Sequence, residues 1–198
     1  MQEPAAGGGG KVALRESILR RRAERSQDER DAAAAAIAAH LASAAFAHVP
    51  TVAVYLSMAS EPGTGPLIDG LLARGTEVLV PAASAQGSLD WVRFDPDTLM
   101  TRSALGVPEP EGPRLGIDAI AGAGLVIAPA LAVDQAGWRL GRGGGYFDRA
   151  LAHVRAPVCA LVYADELLPE VPHEDHDVPV DLVVTEAGIF RVPRSPSR

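Results

Sequence analysis

The sequence is poor in cysteine, in long apolar runs and in net positive charge, and each shortage excludes something. Cys159 is the single cysteine, so neither a disulfide framework nor a thiolate metal site can be built. Its apolar neighbours fit a buried core thiol. This cysteine usage sets a cytoplasmic location as the expectation. The best apolar stretch, Ala119 to Val133, is broken by Gly122, Gly124 and Pro129, so no bilayer-spanning segment is expected. The N-terminus lacks the apolar core of a secretory signal. Gly7 to Gly10 reads instead as part of a disordered leader over residues 1–10, and residues 195–198 as a frayed tail. The net charge of −7 argues against non-specific nucleic-acid binding.

What remains is ordinary globular composition, 47% hydrophobic and 22% charged, which suits one packed domain. Residues 11–194 are expected to form a single catalytic α/β domain. Lys11 to Ser26 has the pattern of a helix. Ser26 with Glu29 then makes a capping box ahead of an alanine-rich helix from Asp31 to Ala47. Thr51–Leu56, Glu77–Pro81, Leu125–Ala128, Val158–Tyr163 and Asp181–Thr185 are short and apolar, as buried parallel strands are. Pro66 to Arg74 predicts a helix closed by Gly75, and Tyr146 to Val154 another. Leu89–Phe94 reads as an edge strand and Gly106–Pro110 as a rigid loop. Strands alternating with helices predict a three-layer α/β sandwich, mostly parallel, with helices on both faces. Ligands in such sheets bind beyond the carboxyl ends of the strands. That places the segments after Leu56, after Ala128 and after Tyr163 near one edge.

The segment from Arg139 to Asp148, Arg-Leu-Gly-Arg-Gly-Gly-Gly-Tyr-Phe-Asp, carries the strongest chemical signal. Its glycines permit positive φ and close backbone approach to a ligand, and runs of N–H groups in such turns make anion sites. Arg139 and Arg142 add forked cationic donors suited to phosphate. No Gly-Lys-Ser/Thr follows, so this is not a Walker A loop. Tyr146 stands where G-x-G-x-x-G needs its last glycine, which disfavours dinucleotide binding. Asp148 is either an ordinary first-turn acid or a ligand for Mg²⁺ shared with substrate phosphates. Lys11 and Arg15 lie one helical turn apart and Arg22 continues their face, either as a solvated basic stripe or as phosphate contacts. Glu61 is either a loop acid or a partner for N–H groups of an organic substrate. Asp181 opens an apolar strand and is a second candidate for Mg²⁺. The His173–Asp177 cluster does not have zinc spacing and reads as a solvated acidic loop.

Several segments, in order, carry a resemblance: Lys-Val-Ala-Leu-Arg from Lys11, Tyr-Leu-Ser-Met-Ala-Ser-Glu-Pro-Gly-Thr from Tyr55, and Gly-Val-Pro-Glu-Pro from Gly106. Ala-Pro-Ala-Leu-Ala-Val-Asp-Gln-Ala-Gly-Trp leads into the glycine block, and His-Asp-Val-Pro-Val-Asp-Leu-Val-Val-Thr ends at Thr185. From Lys11 to Thr185 the chain resembles the 5-formyltetrahydrofolate cyclo-ligase family, also called 5,10-methenyltetrahydrofolate synthetases. The resemblance implies ATP- and Mg²⁺-dependent closure of 5-formyltetrahydrofolate to 5,10-methenyltetrahydrofolate, releasing ADP and phosphate. It implies ATP contacts at Lys11, Arg15, Arg139, Leu140, Gly141, Arg142, Gly143, Gly144, Gly145, Tyr146 and Phe147. It implies folate contacts at Leu56, Glu61 and Arg142 to Tyr146, catalytic roles for Arg142 and Tyr146, and Mg²⁺ at Asp148 and Asp181. The implied partner is 5-formyltetrahydrofolate, with or without a polyglutamate tail, bound by a monomer. Phe147 departs from the family's usual tyrosine. Two alternatives stay open on the residues alone: a phosphosugar isomerase-like enzyme on a similar scaffold, and a non-catalytic nucleotide- or folate-binding module.

Overall fold

A computed structural model describes residues 7–43, 48–84, 87–103, 107–152, 154–174 and 177–193. In chain order the elements are α1 (Gly7–Glu24), α2 (Gln27–Ser43), β1 (Thr51–Val54), α3 (Gly65–Ala73), β2 (Glu77–Ala83), β3 (Leu89–Phe94), β4 (Met100–Arg102), β5 (Pro108–Pro110), β6 (Leu125–Pro129), β7 (Ala132–Asp134), β8 (Arg139–Leu140), α4 (Tyr146–Leu151), β9 (Val158–Leu161), β10 (Leu167–Leu168), β11 (Leu182–Thr185) and β12 (Gly188–Arg191). Short 3₁₀ turns cover Ile117–Gly122 and Ala164–Glu166.

The main sheet runs β12-β11-β9-β6-β1-β2-β3. Its five inner strands are parallel, and β3 and β12 close the two edges antiparallel. The pleat sorts side chains into two cores, because alternate residues of a strand face opposite ways. Val52, Val54, Val78, Val80, Ile127 and Leu161 pack with Ile37 and Leu41 of α2 and with Leu67, Ile68 and Leu71 of α3. Ala53, Leu79, Val126, Ala128 and Ala160 face the other way, against Ile120 and Leu151. These two faces make the expected three-layer α/β sandwich. Cys159 is fully buried in the first core, where burial pushes its thiol far up.

The capping box forms as expected: the Glu29 carboxylate accepts the Ser26 N–H at 2.7 Å, and the Glu29 N–H reaches Ser26 Oγ at 3.2 Å. Gly75 ends α3 with φ of 76°. Other expectations need correction. Gly7 to Gly10 is not a loose leader but the first turn of α1, continued by the strong helix pattern behind it; residues 1–6 and the tail from 194 lie outside the described residues. α2 is followed to Ser43, and residues 44–47 lie outside them too. Pro108–Pro110 is not merely a loop, since it pairs with Met100–Arg102. α4 stops at Leu151. β12 and a small sheet ordered β10-β7-β8 have too few residues to show a period in sequence. No helix among the described residues is long and apolar enough to cross a membrane.

Candidate active site

β1 and β6 are neighbours in the sheet, but the chain leaves β1 toward β2 and leaves β6 toward β9. Their diverging connections open a cleft at the carboxyl ends, as doubly wound sheets do. A cavity of about 710 Å³ occupies it. Leu56 and Met58 after β1, Pro81 and Ala83 of β2, Leu89 of β3 and Val107–Pro108 give it an apolar wall. Opposite stand Lys11 and Arg15 of α1 and the whole segment from Arg139 to Asp148.

The strand pair β7–β8 delivers the glycine segment to this edge. Gly143 has φ of 103° and Gly145, at the start of α4, has φ of 65°, conformations that L side chains rarely adopt. At Gly143 a Cβ would lie 3.6 Å from the Arg15 guanidinium carbon, and at Gly144 it would lie 2.8 Å from the Tyr146 ring. The absent Gly144 side chain therefore lets the Tyr146 ring close on the loop, whereas Arg15 stands at ordinary contact distance from Gly143. Arg15 Nε donates to the Gly141 carbonyl at 2.9 Å. Leu140 lines the cavity, yet its side chain is buried with Ile18, Leu131 and Val171 as a floor. Phe147 likewise packs inward, edge-on to Trp91 at 6.4 Å between ring centres. Tyr146 is exposed, with the Arg149 guanidinium 5.1 Å from its ring centre.

Four cation–anion contacts organise the polar side. Arg142 Nε donates to Glu61 Oε1 at 2.9 Å, and Glu61 Oε2 accepts the Met58 N–H at 2.9 Å. Glu61 is buried, whereas Arg142 is 39% exposed and can turn to a ligand. Arg139 donates to Asp148 Oδ1 at 2.5 Å. Burial pulls the Arg139 pKa down, against the opposing charges of Asp148 and Asp177. Lys11 Nζ reaches Asp177 Oδ2 at 2.9 Å and Glu174 Oε1 at 3.2 Å. Burial alone would lower its pKa, but the hydrogen bonds and charges of Asp177 and Glu174 hold it above the usual lysine value.

Two sequence assignments fail on geometry. Asp181 is at the amino end of β11, where Val158 N–H donates to its carboxylate at 2.9 Å and its own N–H donates to the Val158 carbonyl at 2.8 Å. The four residues of β9 span about 13 Å, so Asp181 lies at the edge of the sheet away from the cavity. The acid that the topology brings to the site is Asp177, four residues earlier, which the sequence reading left in a solvated loop. Arg22 keeps its place on the helix face of Lys11 and Arg15 but is fully buried against Glu166, neither solvated nor in the cavity. His173 stacks on Trp138 at 4.0 Å rather than joining a metal cluster. Among the described residues, no group of three or more His, Cys, Asp or Glu side chains is arranged for a metal ion. Lys11, Arg15, Leu56, Glu61, Arg139 to Phe147 and Asp148 all border one cavity, although Leu140 and Phe147 also serve the core.

Comparison with known proteins bears on the family and the fold. A model described as the 5-formyltetrahydrofolate cyclo-ligase family matches residues 8–186. A 5-formyltetrahydrofolate cyclo-ligase of Mycolicibacterium smegmatis is 43% identical over 142 residues, covering 68% of this chain and 73% of that protein. The Escherichia coli K12 protein of the same name is 30% identical over 145 residues, covering 71% and 80%. The solution structure of Aquifex aeolicus 5,10-methenyltetrahydrofolate synthetase superposes with a TM-score of 0.80 at 28% identity, covering 95% of each chain. The Mycoplasma pneumoniae synthetase shares the fold, with a TM-score of 0.71 at 19% identity over 89% of this chain and 98% of that one. The chain belongs to the 5-formyltetrahydrofolate cyclo-ligase family of enzymes.

Proposed function

We propose that the chain closes 5-formyltetrahydrofolate to 5,10-methenyltetrahydrofolate while converting ATP to ADP and phosphate. The observation that carries this reading is the Arg142–Glu61 contact, 2.9 Å long. It joins the glycine segment, the proposed phosphate site, to the loop after β1, which forms part of the apolar wall. A group transferred between a nucleotide and an organic ring has to pass such a junction. On this reading Lys11, Arg15 and Arg139 face the triphosphate. Leu56 and the apolar wall hold the folate ring system, and Glu61 accepts from its N–H groups.

The proposed reaction has two stages. The formyl oxygen on N5 attacks the γ-phosphorus, and the bond from phosphorus to the departing ADP oxygen breaks. The formyl carbon, now bearing a phosphate in place of a poor oxygen leaving group, is open to N10. N10 forms the new C–N bond and loses its proton, and the C–O bond breaks to release phosphate. No nucleophilic side chain is needed; the work is alignment and charge stabilisation. Arg142 and the Gly143–Gly145 amides supply donors where phosphoryl charge gathers, and Tyr146 covers the loop from the solvent side.

Magnesium fits the side chains present in a specific way. Asp148 and Asp177 both border the cavity and both act on Arg139, but among the described residues no cage of carboxylates is arranged for an ion. Mg²⁺ is commonly held by one or two carboxylates plus substrate phosphates, which suits an ion arriving with the triphosphate. Bound there, it would neutralise phosphate charge.

The test is direct. Folded protein is mixed with 5-formyltetrahydrofolate and Mg·ATP, and the methenyl product is followed by absorbance while ADP is measured in parallel. One ADP per product is expected, with none formed when ATP is omitted. A folded sample that makes no product refutes the reading.

A further inference from the structure

Arg22 is fully buried, and its environment is unusual for a residue on a surface helix. Its Nε and one terminal nitrogen, Nη2, grip the two Glu166 oxygens, both at 2.7 Å. Nη2 also donates to the Ala130 carbonyl at 2.8 Å. Ala130 directly follows β6, and Glu166 Oε2 in turn accepts the Tyr163 N–H just beyond β9 at 2.9 Å. One guanidinium thus fastens α1 to the carboxyl ends of two adjacent central strands. The remaining nitrogen, Nη1, is buried without a hydrogen-bond partner among the described residues. Burying a charge with one donor unmet is a poor way to stabilise a fold, and apolar side chains do it as well or better. The pair is therefore weak evidence of a role in fold stability alone.

Helix geometry suggests a further role. Lys11, Arg15, Ile18 and Arg22 fall within about 60° of one another at 3.6 residues per turn. Arg22 is therefore at the base of the face that carries Lys11 and Arg15 into the cavity. The apolar hold on α1 comes from Ile18 with Leu14 and Leu19, packed on Leu131, Leu140 and Val171, and Lys11 and Arg15 add polar contacts at the far end. Lys11 is about 16 Å further along the axis, at 1.5 Å per residue. A tilt of about 10° at Arg22 would move Lys11 by about 3 Å, where 1 Å can already cost about 100-fold in rate. Arg25, 4.0 Å above the Tyr163 ring, and the Asp165 contacts of Arg21 and Arg25 strengthen the same end.

We infer that Arg22 and Glu166 are positioning residues that set the angle of α1, and through it place Lys11 and Arg15 for the nucleotide phosphates. The inference rests on the proposed nucleotide role of those two cations. The test compares Arg22→Met, Glu166→Gln and the double variant Arg22→Met/Glu166→Leu, all assayed well below their melting temperatures. Either single variant is expected to melt lower and to show a KM for Mg·ATP raised about tenfold, with the KM for 5-formyltetrahydrofolate within about twofold. The double variant should regain its melting temperature and keep the raised KM. Recovery of both together would make the pair merely structural and overturn the inference. Amide hydrogen exchange over residues 11–15 gives a readout that needs no ligand: it should quicken in Arg22→Met and stay quick in the double variant. Unchanged exchange overturns the inference by itself. Lys11→Met and Arg15→Met test the underlying reading separately, because an unaltered KM for Mg·ATP in both would remove the nucleotide role while the exchange result still decides the helix angle.

Discussion

Replacing Asp177 and Asp181 one at a time separates the two edges of the sheet. Asp181→Ala removes the acceptor of a 2.9 Å bond from the Val158 N–H. Hydrogen bonds to charged groups contribute about 1.5–3 kcal/mol, and half-burial of Asp181 puts this one near 1.5. In a chain of this size each kcal/mol moves the melting temperature by about 2–4 °C, so a fall of roughly 3–6 °C is expected. Turnover at 25 °C should stay within about twofold, because about 13 Å of strand separates Asp181 from the cavity. Asp177→Asn should do the reverse. Lys11 keeps its contact to Glu174 at 3.2 Å, and an asparagine oxygen can still accept the Glu174 N–H that Asp177 holds at 2.8 Å, so stability should change less than in Asp181→Ala. The cavity, however, loses a charge that acts on both Lys11 and Arg139. A fall of about 100-fold in kcat/KM for Mg·ATP, or about 2.7 kcal/mol, is expected. Thermal melts by circular dichroism and steady-state kinetics at 25 °C decide the matter. Lost turnover in folded Asp181→Ala, or unaltered kinetics in Asp177→Asn, refutes the assignment.

Arg142→Ala should lower kcat by about 10²–10³ with a smaller change in KM, since its charge matters most as the phosphoryl group transfers; steady-state kinetics with near-normal kcat would contradict this. Glu61→Gln should raise the KM for 5-formyltetrahydrofolate by at least about tenfold, because it weakens both the grip on Arg142 and the acceptor facing the ring. Lys11 has a folded pKa above its ordinary 10.5, so its contribution to stability is fully present below pH 10.5 and is lost as pH rises through the folded value. Melts from pH 8 to above pH 11 should show a steeper alkaline decline in the natural chain than in Lys11→Met. Gly137→Ala should be severely destabilised, by about 3 kcal/mol or more. Gly137 has φ of 86°, and a Cβ there would lie 2.5 Å from the Val180 carbonyl oxygen; a melting temperature within about 2 °C of the natural chain would show that the backbone relaxes around it.

Local signals in the sequence determined the elements and the chemistry. The five parallel strands were legible because buried strands are short, apolar and β-branched. α2 was legible through Ser26 and Glu29, and α3 through Gly75, since caps are local hydrogen-bond and dihedral requirements. The glycine segment was legible as a tight turn because clustered glycines permit positive φ, which Gly143 and Gly145 adopt. Tertiary structure decided which charges meet. Asp177 and Asp181 are four residues apart and chemically alike, and no local pattern says which one follows the chain to the carboxyl edge. That depends on the direction in which β11 enters the sheet beside β9. The same holds for Arg22, which shares a face with Lys11 and Arg15 in sequence yet ends fully buried because Glu166, 144 residues away, arrives beneath it. β12 and the β10-β7-β8 sheet were invisible for a related reason: strands of two to four residues carry no period of their own and exist only through the partners that the fold provides.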